Sequence, residues 1–155
     1  MRNSSKLLKV LLIWFILGMM YFTLEGIWRI PKGGYANIAM LPVGGLCGLC
    51  VGTINQIPKF YDMKIIYQSI IGAVITTIIE FISGLFLNCY LQLGIWDYSN
   101  LPFNILGQVC LPFSLIWFVI MPLCIWLEDK IRYVFWNEGS NYSLKSIYVE
   151  FITLH

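Results

Sequence analysis

The sequence predicts an all-α integral membrane protein, a four-helix transmembrane bundle with both termini in the cytoplasm and a short cytoplasmic C-terminal tail. Three observations predict it. Only 12% of the 155 residues are charged while 59% are hydrophobic, against roughly 25% charged in soluble domains. The charges leave uncharged stretches of 26 residues (Gly33 to Pro58) and 30 residues (Tyr98 to Leu127), and one of 32 (Ile65 to Trp96) broken only by Glu80. Each exceeds the roughly 20 residues needed to cross a hydrocarbon core of ~30 Å. Lys and Arg are also unevenly placed. Arg2, Lys6 and Lys9 at the N-terminus, Lys59 and Lys64 in the second loop, and Lys130, Arg132 and Lys145 in the tail oppose only Arg29 and Lys32 in the first loop. The positive-inside rule then puts both termini in the cytoplasm of a plasma-membrane protein.

The first span covers about 7–28, with Lys9 and Glu25 near its ends, where a lysine can snorkel and a glutamate can turn into a bundle. Arg2, Lys6 and Lys9 before an apolar run also fit a signal peptide. No small-x-small cleavage site follows Leu24, so the run is read as a span. The second span, about 36–57, carries Gly44, Gly48 and Gly52 at four-residue spacing, a ridge that lets helix backbones approach closely in lipid. The third, about 66–89, lines up Ser69, Gly72, Ala73, Thr76, Glu80 and Gly84 on one stripe, a small and polar face expected to meet that ridge. The fourth, about 104–126, holds Gln108 and Ser114, with Pro112 and Pro122 as kink points. Residues 1–132 thus form the membrane domain. In the tail, 133–155, Leu144, Ile147, Tyr148, Phe151 and Ile152 recur at helical spacing, a pattern suited to a short amphipathic helix or to a frayed end.

Several chemistries are excluded or weakened. The five cysteines lie in or beside apolar runs and do not form a disulfide framework. Cys47 and Cys50 match C-x-x-C, but about 17 Å into the membrane and with no second pair in the outer loops, so they are read as small residues flanking the glycine ridge. His155 is the single histidine, and no Cys, Asp or Glu grouping has ligand spacing, so neither a metal nor a cofactor is expected. The chain lacks G-x-x-x-x-G-K-[ST], which leaves ATP binding by a P-loop to another subunit. The small net charge and scattered basic residues give no nucleic-acid footprint.

Glu80 is the most informative residue. A rise of 1.5 Å per residue from Ile66 places it roughly 21 Å along its helix, past the membrane middle toward the outside. A carboxylate there costs about 2.5 to 3.5 kcal/mol on insertion scales and needs a partner, a proton or water. Glu25 and Arg29, four apart on one face, can pair with each other, and Arg29 could reach Glu80 or Asp97. With Asn88, Asp97, Tyr98, Asn104 and Gln108 they fall on the outward side, and the expectation is one polar pocket opening outward. A salt bridge that locks the bundle is the alternative role for Glu80 and Arg29.

The stretches Leu24-Glu25-Gly26-Ile27-Trp28-Arg29, Glu80-Phe81-Ile82-Ser83-Gly84, Trp96-Asp97-Tyr98-Ser99, Pro102-Phe103-Asn104, Gly107-Gln108-Val109-Cys110 and Phe113-Ser114-Leu115-Ile116-Trp117 occur in this order. Together they resemble the family of bacterial membrane proteins known as ABC-transporter type IV, or CmpB-type, permeases, from about Phe15 to Arg132. The resemblance carries over Glu25, Glu80, Trp96, Asp97, Tyr98 and Ser99 as site positions. Pro31-Lys32-Gly33-Gly34-Tyr35 replaces a longer segment seen in many members, which makes this a short variant.

The resemblance implies transport, and four spans, few for one permease half, imply a homo-oligomer or a partner membrane subunit, in addition to a separate ATPase subunit, beside the lipid bilayer. Glu25, Arg29, Glu80, Trp96, Asp97, Tyr98, Ser99, Asn104 and Gln108 are the expected solute-binding residues, with 96–99 as lid. Two other classes stay open: a small intramembrane enzyme acting on a lipid or isoprenoid-type substrate with Glu80 or Asp97 as general acid or base, and a non-catalytic accessory membrane protein.

Overall fold

A computed structural model describes residues 2–54 and 56–153, with side chains from Lys6 onward except at 59 and 61. His155 lies outside the described residues, as do the side chains of Arg2 and Lys59 that enter the charge tally. The described residues are mostly helical. Helix α1 (Arg2–Arg29) ends in a 3-10 turn (Ile30–Lys32), followed by α2 (Met40–Ile54), the single turn α3 (Pro58–Tyr61), α4 (Ile65–Gly84) with a π-helical extension (Leu85–Tyr90), a two-stranded hairpin (β1 Asn104–Ile105, β2 Val109–Cys110), α5 (Leu111–Trp136) and α6 (Leu144–Thr153). Contacts divide the chain into two compact units, Met1–Cys50 and Val51–His155.

Among the described residues three helices are long and apolar enough to cross a membrane: Lys6–Lys32, Ile65–Tyr90 and Leu111–Trp136. The apolar α2 has 15 residues, about 22 Å at 1.5 Å per residue, which is shorter than the hydrocarbon core. It starts later than the expected 36 because Asn37 Oδ1 accepts from Ala39 N–H at 2.9 Å, an Asx turn that competes with helix.

In the first unit the glycines of α2 face α1. A Cβ at Gly45 would lie 2.6 Å from Trp14 O, and one at Gly48 would lie 2.7 Å from Leu17 Cβ. Gly44 abuts Tyr21 in the same way. The glycine ridge expected to meet the third span therefore turns Gly44 and Gly48 to α1, while Gly52, in the second unit, is covered by the Glu128 side chain.

The second unit is built on α4 and α5. The buried residues of α4 are Ile65, Gln68, Ser69, Gly72, Ala73, Thr76, Glu80 and Gly84, which contain the whole stripe read from the sequence. Gly72 opens space for Met121, whose Sδ would lie 2.6 Å from a Cβ there. Tyr67, Ile70, Val74, Ile78 and Ile82 are about half exposed on the opposite face, an apolar surface suited to hydrocarbon.

Helix α5 departs from the expected 104–126. It begins at Leu111, with Pro112 in its first turn where the missing N–H costs nothing. It runs on to Trp136 because Glu128 and Arg132 pair one turn apart, so charge does not end it. Asn137 then closes it in the left-handed conformation. Pro122 lies inside α5, and a proline loosens the carbonyls of the preceding turn. One of these, Val119 O, accepts from Tyr148 Oη of α6 at 3.1 Å.

The C-terminal segment is thus more than a tail. Ile147 of α6 joins Val51, Ile65, Met121 and Ile125 in the core, Phe151 tilts against Phe118 with centroids 5.2 Å apart, and Glu150 Oε1 caps Ile65 N–H at the start of α4 at 3.2 Å.

Candidate functional site

The periodicity that buries one face of α4 carries Glu80 into the protein at 3% exposure. Its two oxygens are held separately. Tyr98 Oη donates to Oε1 at 3.2 Å and Trp117 Nε1 of α5 donates to Oε2 at 3.0 Å. The Tyr98 ring stacks on Phe113 with centroids 4.6 Å apart, so the phenol reaches the carboxylate from a fixed position. Two aromatic donors on an acceptor-only group satisfy a buried carboxylate through hydrogen bonds.

Tyr98 belongs to the connection between α4 and α5, and that connection is tied down by side chains. The π-helical turn, marked by Leu91 N–H donating to Phe86 O at 2.9 Å, brings Asn88 to the loop. Asn88 Nδ2 donates to Trp96 O at 3.1 Å and to Gln108 Oε1 at 2.8 Å, and Asn88 Oδ1 accepts from Ile95 N–H at 2.7 Å. Buried Trp96 donates through Nε1 to Gln108 O at 2.9 Å. Gly84 makes room for this plug, since a Cβ there would lie 2.6 Å from Gln108 Oε1 and 3.1 Å from Trp96 Cζ2.

The outer part of the loop is a second set of turns. Asp97 Oδ1 accepts from Ser99 Oγ at 2.5 Å and from Ser99 N–H at 2.8 Å. These two donors, the hydroxyl first, hold the exposed Asp97 carboxyl below its ordinary range. Asn104 Nδ2 donates to Ser99 O at 3.1 Å and Leu101 O at 2.9 Å, and Asn104 Oδ1 accepts from Gly107 N–H at 3.2 Å. Leu106 and Gly107 both have positive φ, 52° and 68°, as the tight turn between two antiparallel strands demands.

The expected site residues therefore take distinct places. Glu80 and Tyr98 form one hydrogen-bonded group, and Asn88, Trp96 and Gln108 form another, at the same end of α4 and α5. Asp97, Ser99 and Asn104 fold the loop upon itself. In the other unit Glu25 Oε1 accepts from Arg29 Nε at 2.5 Å along α1. Trp117 is an addition. Its spacing from Pro112 and Ser114 in an apolar helix gave no sign that its indole N–H reaches Glu80.

A second polar cluster lies at the far end of the same helices and was also missed. Glu128 is 1% exposed and pairs with Arg132, which also reaches Glu138 Oε2 at 3.7 Å. Tyr142 Oη donates to Asp129 Oδ2 at 2.5 Å. A cavity of about 440 Å³ opens beside them, between the start of α4, the end of α5 and α6. The i,i+4 spacing of Glu128 and Arg132 was the available signal, obscured because both follow the last long uncharged run. Among the described residues no grouping of His, Cys, Asp and Glu could hold a metal ion.

Comparison with curated proteins and with solved structures returns no match. A family model described as "Putative ABC-transporter type IV" matches residues 12–154, a range that contains all of the Glu80 network and the second cluster. With that match over nearly the whole chain, this apolar helical membrane protein belongs to the ABC-transporter type IV family.

Proposed function

We propose that the protein is a membrane permease component that binds a small polar or amphiphilic solute at Glu80, with the 96–108 loop as cover. The observation that carries this reading is the buried Glu80 carboxylate, held on one oxygen by Tyr98 of the loop and on the other by Trp117 of α5. Displacing the Tyr98 hydroxyl would offer Oε1 to an N–H or O–H of a solute while Trp117 keeps Oε2 in place. The aromatic rings of Tyr98 and Trp117 would then flank the solute and favour a cationic or donor-rich group.

In this reading α2 completes a fourth crossing, both termini face the cytoplasm, and Glu80 sits toward the outside, as the Lys and Arg distribution favours. A separate ATPase subunit supplies the energy, since the chain itself has no P-loop motif. An acid-base enzyme is the weaker reading, because Asp97 is held below rather than above the usual carboxylate range. An accessory, non-transporting role draws on a different observation: Asn88, Trp96 and Gln108 already spend their polar atoms on one another.

Thermal stability of the purified protein against metabolites, ions and lipids tests the proposal, with wild type and Glu80→Gln in parallel. A solute that raises the melting temperature of wild type only is the expected result. No solute-dependent shift, with Glu80→Gln as stable as wild type, would leave the accessory role.

A further inference from the structure

We propose that the tip of the loop between α4 and α5 is a lipid-immersed wedge. Phe103, Ile105 and Leu106 enter the leaflet on the Glu80 side, at the boundary between acyl chains and headgroups. These side chains are 80%, 56% and 70% exposed, yet the loop that carries them lies level with the membrane-crossing parts of α4 and α5. Helix α4, Ile65–Gly84, rises about 30 Å, the thickness of a hydrocarbon core, and a Cβ at Gly84, its far end, would lie 2.6 Å from Gln108 Oε1 of the loop. The uncharged part of α5, Leu111 to Leu127, rises about 26 Å, a few ångström short of that core, so the hairpin before Leu111 fills the remainder. The loop also dips back toward the helices. The Tyr98 ring stacks on Phe113 in the first turn of α5, and Tyr98 N–H donates to Gly107 O at 2.8 Å, beside Leu106.

Two features of the loop itself point to lipid rather than water. The first is that its backbone polar groups are largely satisfied from within, which hydrocarbon demands of a non-helical segment and water does not. Asn104 takes Ser99 O, Leu101 O and Gly107 N–H. Gln108 gives Nε2 to Leu106 O and its own N–H to Ile105 O, both at 3.0 Å, and the strands pair Asn104 with Cys110 and Ile105 with Val109. The second is that Phe103 and Leu106 hold positive φ, 53° and 52°, a conformation that glycine or asparagine adopts more readily. In water these two positions would cost strain and apolar exposure together, and in acyl chains the exposure costs nothing. Asp97 is the single charge between Leu85 and Leu127 and is exposed. It limits the depth, so the apolar tip rests among acyl chains while Asp97 stays among headgroups.

The wedge depends on α4 and α5 crossing the membrane and not on a solute at Glu80, so its test is read separately. Phosphatidylcholine nanodiscs leave both membrane faces open, and a charged, water-soluble maleimide reaches any thiol in water whichever way the protein is oriented. Phe103→Cys, Leu106→Cys and Asn100→Cys, the last at an exposed polar position of the same loop, would be labelled in nanodiscs. Peptide mass spectrometry reads each site apart from the native cysteines. Positions 103 and 106 should react at least about tenfold more slowly than position 100, as expected when a side chain of leucine size leaves water. In a second arm, wild type would be irradiated in nanodiscs holding a phosphatidylcholine with a diazirine in its acyl chain, and adducts on residues 103–106 are expected. Equal reactivity at the three positions would mean a loop in water and overturns the proposal. So does protection at 103 and 106 without lipid adducts on wild type, which would mean that another protein surface, such as a second copy, covers the tip.

Discussion

Tyr98 and Glu80 stand 18 residues apart in the chain, yet the phenol donates to the Glu80 carboxylate at 3.2 Å while its ring stacks on Phe113. This one contact joins the loop to the buried face of α4. Trp117 supplies the other donor from α5, so the carboxylate is a junction of three elements.

Tyr98→Phe keeps the ring and removes only the hydroxyl. It should destabilise the protein by about 1–3 kcal/mol, the usual cost of leaving a charged acceptor short of a donor. The double variant with Trp117→Phe should cost more than the two single changes added, since both aromatic donors are then lost to one buried carboxylate. Chemical unfolding in detergent micelles measures this, and strict additivity would show that the two donors act independently.

Gly84→Ala tests the plug. The new methyl would sit 2.6 Å from Gln108 Oε1 and 2.9 Å from its Cβ, and neither Gln108 nor Trp96 can withdraw without breaking the Asn88 network. Overpacking of this kind costs about 1–3 kcal/mol. The emission of buried Trp96 should shift to the red as the loop lifts. An unchanged spectrum with unchanged stability would mean the loop is not seated against α4.

Asp97 gives the loop a pH dependence of known sign. Its carboxyl titrates lower in the folded protein because the Ser99 hydroxyl, and after it the Ser99 N–H, bind the charged form. The stabilisation is therefore complete above the unfolded value of about 3.9 and is lost as pH falls through the lower folded value. The difference in melting temperature between wild type and Asp97→Asn should be steady from roughly pH 5 to 7 and shrink below about pH 4. A difference that grows on acidification would contradict the assignment.

What was legible in the sequence follows from which interactions are periodic. The stripe from Ser69 to Gly84 could be read because every fourth or third residue faces inward on a helix, and those residues are buried. The hairpin at 104–110 was hidden inside a long uncharged run, since Asn104 and Gln108 act through backbone groups of their own loop and leave no periodic trace. The fourth span is expected to stop at about 126, short of Glu128 and Arg132, because charge normally marks the end of a span. Here the pair offsets its own charge and lets α5 continue. The glycine spacing correctly announced close helix contact but not its partner, because Gly44 and Gly48 take α1 residues while Gly52 takes Glu128.

That last contact leads to the fourth prediction. Glu128 is 1% exposed and its pair with Arg132 lies under Gly52, where a Cβ would fall 2.8 Å from Glu128 Oε1. Arg132→Met leaves the carboxylate in place without its guanidinium and should cost about 3–5 kcal/mol. The loss of Glu138 adds little, because that group is half exposed. Replacing both members, Glu128→Leu with Arg132→Met, should recover most of the stability, since two apolar side chains of similar volume remove the desolvation cost together with the pair. Gly52→Ala should mimic the single change by forcing Glu128 aside. Unfolding measured on all three variants decides the matter. If the double variant is as unstable as Arg132→Met alone, the pair is serving something other than charge compensation, and the adjoining cavity is the place to look for it.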